Sequence, residues 1–189
     1  ALCLLVLLSS KMFAQDVALG VEYFKAGEYE KAKSIVQKLA KRKESKDEVY
    51  NYYLETLLKL KEWNEAEKYI KKQIKNADKE NPQFLVDLAR LYENLERKEE
   101  AQKNYLLAIE KVRENEDAVR NLANNFAGRG QFDLAIQTIE VSRLFFKSED
   151  KYAIELANFY RAQSNIPQMI EEYLKFGLVT QNQEMIQVI

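Results

Sequence analysis

A short pattern recurs along this chain at a nearly fixed interval, and that recurrence limits the possible folds more than any other feature. Gly27-Glu28-Tyr29-Glu30-Lys31-Ala32 is echoed by Lys61-Glu62-Trp63-Asn64-Glu65-Ala66, by Glu96-Arg97-Lys98-Glu99-Glu100-Ala101 and by Gly130-Gln131-Phe132-Asp133-Leu134-Ala135. A fifth copy, Ser164-Asn165-Ile166-Pro167-Gln168-Met169, ends in Met instead of Ala. The copies end at residues 32, 66, 101, 135 and 169, so the steps are 34, 35, 34 and 34 residues. Flanking positions keep the same register. Upstream of each copy stand Leu19-Gly20, Tyr53-Leu54, Leu88-Ala89, Leu122-Ala123 and Leu156-Ala157, followed by Tyr23, Leu57, Tyr92, Phe126 and Tyr160. Downstream come Val36, Ile70, Tyr105, Ile139 and Tyr173.

Within a unit, a large residue, its neighbour and an aromatic at i, i+1 and i+4 share one face of a helix. The small residue lets a second helix approach, and the Ala that closes the hexapeptide does the same from the other side. The bulky residue one turn later fills the remaining space. A unit of this kind buries part of its apolar surface alone and the rest by stacking on its neighbours. The pattern resembles the tetratricopeptide repeat (TPR) family over roughly residues 13 to 182. That resemblance implies an all-α fold, an α-solenoid of about five helix-turn-helix repeats near 13–46, 47–80, 82–115, 116–149 and 150–182. Met169 departs from the pattern, but its unbranched side chain adapts to an irregular gap. Lys61 and Glu96 stand where Gly27 and Gly130 mark the turn. Pro82 and Pro167 fall in the first turn of expected helices, where proline is tolerated.

Composition agrees with helices and removes several chemistries. The 189 residues include five Gly and two Pro, too few for an all-β chain rich in turns. With no His and one Cys, a Ser-His-Asp triad, a Cys-His pair and the common zinc sites have no residues to build them. No pair among the 30 acidic residues is singled out by spacing. The chain is therefore read as a non-enzyme with no cofactor and no metal. A formal net charge of −1 gives no electrostatic case for nucleic acid.

The two ends read differently from the repeats. Ala1 to Leu8 is an unbroken apolar run, followed by Ser9, Ser10 and Lys11, and Ala14 offers the small residue a signal peptidase needs. Residues 1–14 are thus expected to be the remnant of a secretory signal, too short to span a bilayer, with the repeat array at 15–182. Cys3 reads as a residue of the hydrophobic region; a lipidation site would need an upstream lipobox. Residues 183–189 read as the start of a further repeat, so the sequence is expected to be the N-terminal part of a longer exported bacterial protein.

These features point to a protein–protein interaction scaffold of the cell envelope, periplasmic or associated with the outer membrane, that holds a protein or peptide. The alternative is a docking or sensory module of a larger protein whose catalytic or signalling domain lies further on. Glycan capture is disfavoured because the regular step leaves no room for long insertions. By register, the off-core face of the first helices presents Tyr52 and Glu55, Val86 and Arg90, Arg120 and Asn124, and Asn158 and Arg161. Arg and Asn hold a peptide backbone or a carboxylate well. The faint likeness to carboxylate-clamping members of the family lacks their lysines. Gly128-Arg129-Gly130 falls at a repeat turn and reads as turn glycines. In the aromatic group Tyr50, Tyr52, Tyr53, Trp63 and Tyr69, Tyr53 and Trp63 occupy core register, while Tyr52 points away. The basic run from Lys38 to Lys43 suits a helix C-terminus, with an anion-binding patch as the second reading.

Overall fold

The computed structural model describes residues 2–41, 47–76 and 81–186, with side chains described for 13–41, 48–76 and 81–178. Every regular element among them is an α-helix. The fold is all-α and TPR-like, and the chain divides into two compact units, residues 1–77 and 78–189. The first holds α1 (Leu2–Lys25), α2 (Tyr29–Ala40), α3 (Asp47–Lys59) and α4 (Trp63–Asn76). The second holds α5 (Pro82–Asn94), α6 (Lys98–Val112), α7 (Glu116–Gly128), α8 (Phe132–Phe146), α9 (Ala153–Ala162) and α10 (Ile166–Ile186). Within each unit, successive helices pack on one another.

The recurring hexapeptide is the turn between paired helices. Gly27, Lys61, Glu96, Gly130 and Ser164 all adopt positive φ, from 58° at Lys61 to 78° at Gly27. In each turn two backbone bonds close the preceding helix. Glu62 N–H donates to the Leu57 carbonyl at 2.9 Å and Lys61 N–H to Leu58 at 3.1 Å. The same pair recurs as Arg97 to Tyr92 at 2.8 Å with Glu96 to Glu93 at 2.9 Å, and as Asn165 to Tyr160 at 2.8 Å with Ser164 to Arg161 at 3.0 Å. This is the Schellman arrangement, which satisfies carbonyls the helix end would leave orphaned. It requires a left-handed residue that glycine supplies at two turns and Lys61, Glu96 and Ser164 supply at the others. The helices that open the next units are capped otherwise. The Asn81 side chain accepts from Gln83 N–H at 2.9 Å with Pro82 in the first turn, and Asn115 accepts from Ala118 N–H at 3.0 Å.

The core follows the repeat register. Ala32, Ala66, Ala101 and Ala135 are buried, as are Ala89, Ala123 and Ala157 on the facing helices. Leu57, Phe126, Ile70, Tyr105 and Ile139 are sealed between them. At Gly20 an added Cβ would lie 2.9 Å from the Val36 side chain, so α1 and α2 meet there with no room for a methyl group.

Several expectations need correction. Val86, placed on the open face by register, is fully buried, because the apolar surface of α5 is wide enough to take in Leu85, Val86 and Leu88 together. Trp63 is half-buried and not sealed in the core. Residues 183–186 continue α10 and do not open a new helix. α1 is a single helix of 24 residues, whereas α3, α5 and α7 have 13 each. Ala14 lies inside α1 and is exposed. The side chain of Cys3, and residues 42, 43 and 187–189, lie outside the described residues. Among the described residues no helix is long and apolar enough to cross a membrane.

Candidate functional site

The residues read from register as a binding face divide between the two units. In the first, α3 carries Tyr52 and Glu55, both half-buried. The Tyr52 ring meets Phe24 of α1 edge to face at 5.5 Å. Tyr52 thus points away from the Tyr53 core only to pack on the neighbouring first helix.

In the second unit, each arginine of the set has a polar neighbour of its own. Arg90 on α5 lies 3.8 Å from the carboxylate of Asp87, one turn earlier. Asp87 is buried and also accepts from Gln83 at 2.9 Å. On α7, Arg120 Nε donates to Glu155 of α9 at 2.9 Å, and its guanidinium lies 5.0 Å from the centre of the Tyr152 ring. Lys151 ties the start of α9 to Glu116 at the start of α7, at 2.6 Å. Arg161 donates to Asn158 at 3.0 Å. Arg120, Asn124 and Arg161 are exposed and Asn158 is half-buried.

The Arg120–Glu155 contact bridges α7 and α9, and the Arg161–Asn158 contact lies within α9. Arg120 and Asn124 stand one turn apart on α7, and Glu155, Asn158 and Arg161 follow at three-residue steps on α9. Arg120 commits one N–H to Glu155, and a guanidinium has five. The Glu155 carboxylate beside it raises its pKa further, so it stays charged.

The sequence reading passed over Glu155, Tyr152, Lys151 and Glu116. A signal for two of these contacts existed: Arg120 and Glu155, like Glu116 and Lys151, are opposite charges 35 residues apart. That separation is one residue more than the 34-residue step between these units, so each pair nearly matches in register across the start of α7 and α9.

Two cavities lie among the second helices instead. One of about 890 Å³ in the second unit is lined by α6, including the exposed Leu106 and Leu107, with Val141 of α8. The other, of about 530 Å³, lies in the first unit and is lined by α2, α3 and α4. Beside it runs a polar network. Tyr53 donates to Glu65 at 2.5 Å, Gln37 donates to the same oxygen at 2.9 Å, and Lys33 lies 3.3 Å from the other oxygen. The Tyr53 hydroxyl and the other donors hold the Glu65 carboxyl down to about 2.

No family profile and no curated protein matches the sequence. Solved structures do resemble it in fold. A crystal form of MamA labelled AMB-1 is 15% identical with a TM-score of 0.43, over 91% of this chain and 93% of that one. MamA labelled MSR-1 is 16% identical with a TM-score of 0.42, over 91% and 98%. The C-terminal part of a TPR repeat-containing protein from Cytophaga hutchinsonii is 19% identical with a TM-score of 0.42, over 84% and 62%. Identities this low concern the fold alone, and nothing about partners follows from them.

Proposed function

We propose that this chain is a protein-binding scaffold of the bacterial cell envelope, and that a peptide or protein partner lies across α7 and α9 of the second unit. The observation that carries the reading is the joining of those two first helices by Arg120 and Glu155. Arg120, Asn124 and Arg161 are exposed and Asn158 is half-buried, on the two helices that this contact bridges. Binding to helical repeats of this kind exploits such rigid, repeated faces. In this reading Glu155, which accepts from Arg120, holds the guanidinium so that its remaining N–H groups can meet a partner's carbonyls or carboxylates. Tyr52 and Glu55 of the first unit, and Arg90 of α5, would extend the contact.

Export rests on the apolar run from Ala1 to Leu8 and on Ala14. α1 exceeds the other first helices by the stretch that carries this run, as expected if the fold begins near Phe13 and the preceding residues are a leader. N-terminal sequencing of the protein made in its own host should find a start at Gln15. A mature chain that retains the apolar run would refute export by cleavage.

The surface is tested by capture from envelope extract with wild type and an Arg120→Ala, Asn124→Ala, Asn158→Ala variant. The variant should keep its circular dichroism and lose the partners captured by wild type. A folded variant that recovers the same partners with the same salt dependence would remove the α7–α9 surface from consideration.

A further inference from the structure

We propose that the cleft between α2 and α4 in the first unit is a second, separate binding site, and that it takes a carboxylate-bearing segment of a partner protein. The cavity of about 530 Å³ has an aromatic wall of Tyr53 and Tyr69. Their rings meet edge to face at 4.7 Å, and Tyr50 stacks on Tyr69 at 5.4 Å. The Tyr69 ring is mostly covered, but its hydroxyl is not one of the sealed polar atoms, and among the described residues it has no hydrogen-bond partner. Burial pushes the Tyr69 phenol above its ordinary value, so it keeps its proton and remains a donor. A solvent-reaching donor in a cavity lining, with no acceptor within the fold, is available to an acceptor brought from outside.

The charge of the lining specifies that acceptor. Lys41, Lys68 and Lys72 line the same cavity and form no ion pair among the described residues. Lys68 and Lys72 stand one turn apart on α4, and Lys41 follows the last turn of α2. Glu65 lines the cavity too, but its carboxylate is already met by Tyr53, Gln37 and Lys33. Its charge is therefore matched, and the lysines leave the cleft positive although the whole chain is not. The basic run beginning at Lys38 thus contributes its Lys41 to an anion site, the reading that a helix-end role alone does not cover.

The cavity is too large for a bare inorganic anion, and its tyrosine rings and Ala40 are apolar surface. A peptide with an acidic group beside an apolar side chain uses both features: the side chain covers the rings, and the carboxylate accepts from Tyr69 and meets the lysines. The site needs none of the residues assigned to α7 and α9, so either assignment can fail alone.

The test uses the full chain and fluorescence polarisation with a labelled peptide in which glutamates alternate with phenylalanine and leucine. A counterpart peptide carries glutamine for every glutamate, and inorganic phosphate serves as competitor. Wild type should bind the acidic peptide, more weakly as salt rises, and bind the glutamine peptide at least several-fold less well. Tyr69→Phe, which deletes only the hydroxyl, should weaken binding about tenfold. Lys68→Gln with Lys72→Gln should weaken it comparably and flatten the salt dependence, whereas Lys59→Gln with Lys75→Gln, outside the cavity, should not. Circular dichroism confirms that each variant is folded. Equal binding of both peptides, wild-type affinity in the Tyr69→Phe and Lys68/Lys72 variants, or an equal loss in the Lys59/Lys75 control would each overturn the proposal. So would displacement of the peptide by phosphate at the concentration of the peptide itself, which would mark a simple anion site.

Discussion

In the second unit, the α7–α8 hairpin and the α9–α10 hairpin share a register but not a fate. Phe126, Ala135 and Ile139 are sealed in the first hairpin. Their counterparts in the second, Tyr160 and Met169, are half-buried, and Tyr173 is 38% exposed. The facing helices do not differ in this way: Leu156 and Ala157 of α9 are as buried as Leu122 and Ala123 of α7. α9 rests on α8 as α7 rests on α6. The outer face of α10 presents Ile166, Ile170, Tyr173, Leu174 and Leu178, a stripe at helical spacing. Register decides which face of a helix is apolar, and only a packed neighbour turns that face into core.

Three pairs of substitutions sharpen the contrast. The largest difference is expected at the bulky position: Ile139→Ala should cost about 2–5 kcal/mol by opening a cavity, and Tyr173→Ala less than about 1 kcal/mol because much of that side chain stays in water. Urea midpoints measure both, and equal losses would break the comparison. Overpacking comes next. Ala135→Trp, or Ala101→Trp in the hairpin before it, should cost about 1–3 kcal/mol. Met169→Trp should fall within about 0.5 kcal/mol of wild type, because the half-buried site has room to yield. The turns give a smaller effect of opposite sign. Gly130→Ala forces a side chain into left-handed backbone and should cost about 1 kcal/mol. Ser164→Gly, which relieves a φ of 59°, should stabilise by about 0.5 kcal/mol. A destabilised Ser164→Gly would show that its turn is held by more than backbone geometry.

The fold was legible because its unit is short and local. The turn positions at 27, 61, 96, 130 and 164 and the small residues at 32, 66, 101 and 135 are fixed by backbone geometry and close packing, which act within one unit. Gly27 and Gly130 announce the left-handed position outright, and alignment with them exposes Lys61, Glu96 and Ser164. The surfaces were legible only in part. Val86 and Arg90 are one turn apart on α5, yet one is sealed and the other reaches water; the width of a buried stripe depends on neighbours that periodicity does not contain. The partners of Arg120 and Arg143 lie 35 and 29 residues away, and their pairing needs the stacking of helices, not the period of one. The α2–α4 cleft was less legible still. Tyr69 sits one place before the repeat's Ile70 and reads as packing; that its hydroxyl lacks an acceptor is a property of the assembled unit.

The smallest effect expected, because it is confined to one end of the second unit, concerns what holds α10 in place of deep packing. Glu172 is buried among these helices, and Arg143 of α8 donates to both its carboxylate oxygens, at 3.0 and 2.5 Å. Lys175 adds a third contact at 2.9 Å. Burial pushes the Glu172 carboxyl up, but hydrogen bonds and charge from Arg143 and Lys175 outweigh it and hold the group below its ordinary value of 4.5. The folded state therefore binds this proton less readily than the unfolded chain. The resulting stabilisation is complete above the ordinary carboxylate value and is lost as pH falls through the lower folded value. Protonated Glu172 leaves the Arg143 guanidinium beside a neutral acid in a nearly dry site, a costly arrangement. Amide hydrogen exchange along α10, corrected for the intrinsic rate, should accelerate as pH falls below that window while α8 around Ile139 stays protected. Glu172→Gln, which has no charge to lose, should weaken protection of α10 at neutral pH and flatten its acid dependence. If α10 in the variant and in wild type lost protection with the same slope, the Arg143–Glu172 pair would not be what fastens this helix, and the half-buried contacts of Tyr160 and Met169 would have to suffice.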